Sequence, residues 1–138
     1  MNIVILGPFG YGSLADEVVL AGLLKRLSSK TRGAATESER QPKHNITTLS
    51  LDSKKTKTIN GVEAVHLTNP DNIVKTPSAW EALSQAQLFI VASGGVLSEQ
   101  GKTPARVWLG AIEHARRIGV KTAVVGVGAI KIAEPRER

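Results

Sequence analysis

Two adjacent carboxylates, Asp16 and Glu17, close a stretch rich in glycine and aromatic residues, GPFGYGSLADE at residues 7–17. Carboxylates in such a position can act as a general base or accept hydrogen bonds from the hydroxyls of a ligand. Ser13 and Asp16 have the S-x-x-D spacing of a capping box, which stabilises the start of a helix without a ligand. If these two residues cap the helix, Glu17 is left free to face a ligand.

The same stretch has the spacing of a dinucleotide-binding fingerprint, G-x-G-x-x-A, at Gly10, Gly12 and Ala15. Asp52, after a second predicted strand, is the candidate partner for a ribose hydroxyl. Three features oppose this interpretation. GPF separates the first predicted strand from the fingerprint, Asp52 lies 40 residues beyond Gly12, and the two carboxylates occupy the helix end that would attract a pyrophosphate. The acidic pair therefore favours a hydroxyl-bearing ligand over a phosphate.

A second glycine-rich segment, SGGVLSEQGKTPAR, follows a strongly apolar run and begins at residue 93. Its glycines permit close approach of the backbone to a ligand, and its basic side chains can offer positive charge at the start of a helix. No histidine pair or cysteine has metal-ligand spacing, so no metal site is predicted. The predicted catalytic residues are Glu17 and Asp16, and the predicted ligand-binding residues are Gly10, Tyr11, Gly12, Ser13, Gly94, Gly95, Lys102 and Arg106.

Alternating apolar runs and amphipathic segments must position these residues. Continuous apolar runs that end in glycine are typical of strands buried on both faces, and apolar residues at helical spacing predict helices between them. Polar residues 28–44 predict a mobile surface loop inside a single domain that covers residues 1–138. The predicted strands are 2–7, 45–52, 61–67, 88–95 and 121–129, and the predicted helices are 16–30, 78–87 with Ser78 as its cap, and 104–118 with Thr103 as its cap.

This alternation predicts an α/β fold, a Rossmann-like doubly wound and mostly parallel sheet in the order 3-2-1-4-5. In that order the first and fourth strands are neighbours, so the two glycine-rich loops should line one crevice at their carboxyl ends. One point stays open. Only about eight residues, 53–60, join the second and third strands, so either that crossover is very short or the pair is antiparallel.

The composition excludes several function classes. The net charge of +6 arises entirely between residues 25 and 57, where nine Lys and Arg face three acids with no interleaved aromatics, which argues against nucleic-acid binding. The chain has no cysteine, and its first apolar run is too short for a signal peptide or a membrane span. We therefore expect a cytoplasmic protein with no integral membrane segment.

Three blocks in a fixed order carry a resemblance to a known family: GPFGYGSLADEVVLAGLLKRL, LFIVASGGVLSEQ and ARVWLGAIEHARRIGVKTAVVGVGA. They resemble the N-terminal half of the polysaccharide pyruvyl transferases, with Asp16 and Glu17 matching an Asp-Glu pair and Gly94 and Gly95 matching two of three glycines. Ser13 stands where the family usually has Asn, and Ala15 where it has Gly.

The resemblance implies one lobe of a glycosyltransferase-B-like enzyme, with the active site in a cleft shared with a C-terminal lobe. Such enzymes transfer pyruvyl from phosphoenolpyruvate to a sugar of a cell-surface polysaccharide and need no further cofactor. The implied partners are phosphoenolpyruvate, a sugar or polysaccharide precursor, and the second lobe. Two alternatives remain, a nucleotide-binding Rossmann module for NAD or a nucleotide-sugar, and a non-catalytic carbohydrate-binding or interaction domain.

Overall fold

A computed structural model describes residues 1–11, 13–28, 44–92 and 105–127 of the chain. Five parallel strands form one sheet in the order 3-2-1-4-5, which confirms the predicted fold class and strand order. The first and fourth strands, which are neighbours inside the sheet, are buried apolar runs, as expected for a sheet covered on both faces. The strands are β1 (Asn2–Leu6), β2 (Asn45–Ser50), β3 (Glu63–His66), β4 (Leu88–Ala92) and β5 (Lys121–Val125).

Helices cover both faces of the sheet, so the fold is doubly wound. Alternate residues of β1 belong to separate apolar clusters: Ile3 and Ile5 pack with α1, whereas Val4 and Leu6 pack on the opposite face. No helix in the described part of the chain is long and apolar enough to cross a membrane. The helices are α1 (Leu14–Ser28), α2 (Ser53–Asn60), α3 (Pro77–Ser84) and α4 (Ala105–Arg117), and a 3₁₀ turn spans Pro70–Asn72.

The connection between β2 and β3 is an eight-residue helix, α2, and the two strands are parallel. The crossover is therefore the very short one. Asp52 caps the amino end of α2, where its side chain accepts a hydrogen bond from the backbone N–H of Lys55. Gly61 ends the helix with a φ of 61°, a left-handed conformation that glycine adopts without steric cost. A capping residue at the start and a left-handed glycine at the end thus define this short helix.

The sequence predicts capping residues for the third and fourth helices. The third helix begins at Pro77, and its cap position is Thr76, so the prediction of Ser78 as the cap is wrong. Proline suits the first helical position because its missing N–H would have no partner there. The predicted cap Thr103 lies outside the described residues, and α4 is described from Ala105. Most of the predicted polar loop, residues 29–43, also lies outside them.

Candidate functional site

The candidate site lies where β1 and β4 end side by side. Leu6 of β1 is in register with Val91 of β4, so Gly7 stands beside Ala92 at the carboxyl edge of the sheet. The chain leaves β1 toward α1 on one face and reaches β4 from α3 on the other, and open α/β sheets bind ligands at such a switch point. The structure thus confirms that the two glycine-rich segments start from neighbouring strands.

Some of the predicted site residues lie among the described residues and others do not. Gly10, Tyr11, Ser13, Asp16 and Glu17 are all described, in the loop after β1 and the first turns of α1. Arg106 is exposed in the first turn of α4. Four predicted ligand-binding residues lie outside the described residues: Gly12, Gly94, Gly95 and Lys102.

Glu17 does not have the free carboxylate that the capping argument predicts. Its Oε1 accepts a 2.6 Å hydrogen bond from the backbone N–H of Gly10, and its Oε2 accepts a 3.4 Å bond from the side-chain amide of Asn60 in α2. The first bond is short because the acceptor is charged. The carboxylate therefore joins the loop after β1, the first turn of α1 and the end of α2, and the expectation of a free Glu17 is wrong.

Ser13 caps α1 as predicted. Its Oγ accepts a long hydrogen bond, 3.4 Å, from the backbone N–H of Asp16, and its carbonyl accepts the first intrahelical bond, 3.2 Å, from the backbone N–H of Glu17. Asp16 itself is half-buried. The cap from Ser13 and the bond from Gly10 both stabilise the local structure. Contacts among nearby residues, 10–17, therefore stabilise the first turn of α1.

Two glycines of the loop after β1 are explained by local structure. A Cβ on Gly7 would collide with the carbonyl oxygen of Ala92, so glycine is needed for β1 and β4 to end together. Gly10 has a φ of +80°, and a Cβ there would lie 2.8 Å from the backbone nitrogen of Asp52. A nearby ligand is therefore not needed to explain either glycine.

The two aromatic residues of the loop have different environments. Phe9 is fully buried in the cluster beneath α1, together with Ile3, Ile5 and Leu20, so it belongs to the core although it lies in a loop. Tyr11 is 56% exposed. Of the two, only Tyr11 presents an aromatic surface at the carboxyl edge of the sheet.

A buried hydroxyl pair fixes this loop to β2 and α2. Ser50 Oγ and Thr56 Oγ1 are 2.6 Å apart, and both residues are buried. Ser50 Oγ also lies 3.1 Å from the carbonyl of Phe9, to which it can donate, and it accepts a 3.2 Å bond from the backbone N–H of Asp52. The backbone N–H of Leu51 donates to the same Phe9 carbonyl at 3.1 Å. The ends of β1 and β2 are therefore joined through polar groups shielded from water.

These contacts weaken the dinucleotide interpretation on structural grounds. In a fingerprint loop, backbone N–H groups and the helix amino end hold a pyrophosphate. Here the N–H of Gly10 already binds the carboxylate of Glu17, which brings negative charge to the same place. Asp52, the candidate ribose partner, accepts instead from the backbone N–H of Lys55 as a helix cap.

Other candidate features lie away from this edge. An open cavity of about 280 Å³ lies at the amino edge of the sheet, where Asn2, Asn45 and Glu63 begin three strands. Trp108 is buried in the core. No group of three or more His, Asp or Glu in the described ranges is arranged to hold a metal ion.

The sequence does not predict the contacts that Asn60, Ser50 and Thr56 make at this edge. Asn60 stands 43 residues from Glu17, and no periodicity or motif links the two positions. The only available signal was the pair of hydroxyl residues that flank Asp52, at a predicted strand end and in the short connection after it.

No protein-family model, no curated protein and no solved structure matches this chain.

Proposed function

We propose that this chain is the acceptor-side lobe of a pyruvyl transferase that acts on phosphoenolpyruvate and a sugar of a cell-surface polysaccharide. The proposal rests on the three sequence blocks and on one structural observation, the carboxylate of Glu17 at the amino end of α1. Because an internal anion fills the place that would attract a phosphate, a neutral ligand rich in hydroxyl groups suits this edge better.

In the proposed reaction two sugar hydroxyls add to C2 of phosphoenolpyruvate. The methylene carbon takes up a proton and becomes a methyl group, and the C–O bond to phosphate breaks, so a cyclic ketal and inorganic phosphate are formed. The chemistry needs an acid for the methylene carbon, cations for the carboxylate and phosphate, and a base beside a sugar hydroxyl. Most of the donor-binding groups belong, in this proposal, to a C-terminal lobe.

The residues of this chain have distinct proposed roles. Asp16 serves as the base beside the sugar hydroxyl, and Glu17 acts as a positioning residue because its carboxylate holds Gly10. Tyr11 offers its exposed ring as a platform for one face of the sugar. The glycine pair Gly94–Gly95 allows close approach of the acceptor, and Lys102 and Arg106 supply positive charge toward the donor.

A binding experiment tests the proposal on the chain as it is. We expect free hexoses and N-acetylhexosamines to shift the backbone amide signals of Tyr11 and Ala92 in ¹⁵N-resolved NMR titrations, and NAD⁺ to leave them unchanged. Asn45, at the opposite edge of the sheet, is the internal reference. Shifts with NAD⁺ alone would support the nucleotide-binding alternative and overturn the proposal.

The catalytic part is tested separately. Inorganic phosphate released from phosphoenolpyruvate should depend on the sugar when the chain is assayed together with its C-terminal lobe, and Asp16→Asn should abolish that release. Sugar binding that persists without any release of phosphate in that pair would identify a non-catalytic carbohydrate-binding domain.

A further inference from the structure

The outer side of α1 carries large apolar side chains that the fold does not bury. Leu14 is 78% exposed and Val18 is 61% exposed. The two are four residues apart and lie on one side of the helix, on the same line as Ala21 and Lys25. Leu20, Leu23, Leu24 and Leu27 form the inner side, which packs on the sheet. The first half of α1 is thus apolar on both its inner and outer sides.

Helix α2 adds positive charge on the same side of the sheet. It lies on the same face of the sheet as α1, because Thr56 bonds to Ser50, and Asn60 reaches Glu17 of α1. Lys54 and Lys55 are exposed, and Ile59 is 57% exposed. We call the surface formed by Leu14, Val18, Lys25, Lys54, Lys55 and Ile59 the α1–α2 face.

The acidic residues of these two helices and of the α2 cap are outnumbered by the basic ones: Asp16, Glu17 and Asp52 stand against Lys25, Arg26, Lys54, Lys55 and Lys57. Glu17 turns its carboxylate to the backbone of Gly10, and Asp52 turns its carboxylate to the backbone of Lys55. Asp16 is half-buried in the first turn of α1. Lys57 is left out of the face because it forms an ion pair with Glu63, 2.8 Å long.

The opposite side of the sheet has a different surface. Its exposed apolar residues include Val74, Leu109 and Ile118, which are less exposed at 44%, 44% and 41%. An acid lies among them, because Glu113 pairs with Arg117 at 2.6 Å. The greater exposure of Leu14, Val18 and Ile59 therefore distinguishes the α1–α2 face.

We propose that the α1–α2 face docks on an anionic lipid surface. Aliphatic side chains on the outer side of a surface helix, with lysines beside them, are the pattern of interfacial helices, whose apolar residues enter the headgroup region while the lysines approach lipid phosphates. A nucleic-acid partner would call for aromatic stacking platforms, which the six residues of the face do not include. The chain's net charge of +6 adds a general attraction to the same surface.

Co-sedimentation with vesicles tests the proposal. The whole chain should partition to vesicles of phosphatidylcholine mixed with phosphatidylglycerol, release at high salt, and stay in solution with phosphatidylcholine alone. Lys25→Gln, Lys54→Gln and Lys55→Gln together should weaken partition on the order of 100-fold, and Leu14→Ser with Val18→Ser about tenfold or more.

A matched variant on the other side of the sheet controls for general loss of charge and apolar area. Leu109→Ser with Arg116→Gln should leave partition unchanged, and far-ultraviolet circular dichroism should show that every variant is folded. Equal binding to both kinds of vesicle, no binding, or equal loss in the control variant would overturn the proposal. So would a change in molar mass by light scattering in Leu14→Ser with Val18→Ser, since the face would then bind a second copy of the chain.

Discussion

The backbone N–H of Gly10 donates a 2.6 Å hydrogen bond to Oε1 of Glu17, seven residues later in the chain. The bond closes the loop after β1 onto the first turn of α1, and it places an internal negative charge at the positive end of the helix. One side chain thus organises the loop and determines which ligand charge the sheet edge can accept.

Removal of this carboxylate should destabilise the protein. Glu17→Ala leaves the N–H of Gly10 without its charged acceptor, so we expect the free energy of unfolding to fall by about 1.5–3 kcal/mol. Glu113→Ala is the matched control, because it breaks an exposed ion pair with Arg117 and should cost less than about 1 kcal/mol. Urea denaturation of both variants measures the difference. Equal losses would show that the bond to Gly10 contributes nothing beyond a surface pair.

The same variant should gain affinity for an anion. Without the carboxylate, the free N–H of Gly10 and the amino end of α1 present donors and positive potential, the usual elements of a phosphate site. We expect inorganic phosphate to raise the urea midpoint of Glu17→Ala, because a ligand that binds only the folded state stabilises it. The parent chain and Glu113→Ala should respond no more than they do to sodium chloride at the same ionic strength. An equal response in all three would mean that Glu17 does not exclude anions.

Glycine is required at position 10 and dispensable at position 22. Gly10→Ala places a Cβ 2.8 Å from the backbone nitrogen of Asp52 and forces a side chain into left-handed backbone, which alone costs about 1–2 kcal/mol. Gly22, inside α1, has no atom within 4 Å of the position of a Cβ. Gly22→Ala should therefore raise stability by roughly 0.5–1 kcal/mol. Thermal or urea unfolding should move in opposite directions, and a stable Gly10→Ala would refute the packing argument.

The sheet could be predicted from the sequence because its strands are continuous apolar runs. Residues 2–6 and 88–92 are buried on both faces, and burial of that kind leaves a clear pattern. Helix α2 could not be predicted, since SKKTKTIN buries a single residue, Thr56, and has no apolar stripe. Its formation depends on a cap, Asp52, and on a left-handed glycine, Gly61, at its end.

The sequence predicts where the candidate site lies but not the contacts of its residues. Strand order brings the ends of β1 and β4 together, and the apolar runs specify that order. The roles inside the loop depend on contacts between distant residues, such as Asn60 with Glu17 or Ser50 with Phe9, and sequence spacing carries no information about these. The sequence around an aromatic residue in a loop also does not show whether its side chain is buried in the core or exposed to solvent, as Phe9 and Tyr11 illustrate.

Buried hydroxyls with and without partners should respond oppositely to removal. Thr56→Val deletes one member of the 2.6 Å pair with Ser50 and should cost about 1–2 kcal/mol. Thr48, on the same strand as Ser50, is fully buried, and its Oγ1 has no hydrogen-bond partner among the described residues. Thr48→Val should therefore be neutral or raise stability by about 1 kcal/mol. Urea denaturation decides, and a loss in Thr48→Val as large as that in Thr56→Val would contradict the argument.

Replacement of the two aromatic residues of the loop should affect stability in one case and ligand binding in the other. Phe9→Ala empties a fully buried site next to Leu20 and should lower the free energy of unfolding by about 3–5 kcal/mol. Tyr11 is 56% exposed, so Tyr11→Ala should cost less than about 1 kcal/mol. If Tyr11 is the sugar platform, its replacement should weaken hexose binding about tenfold while Tyr11→Phe, which keeps the ring, retains most of it. Urea denaturation and NMR titration give the two readouts. Full hexose affinity in Tyr11→Ala would remove this residue from the proposed acceptor site.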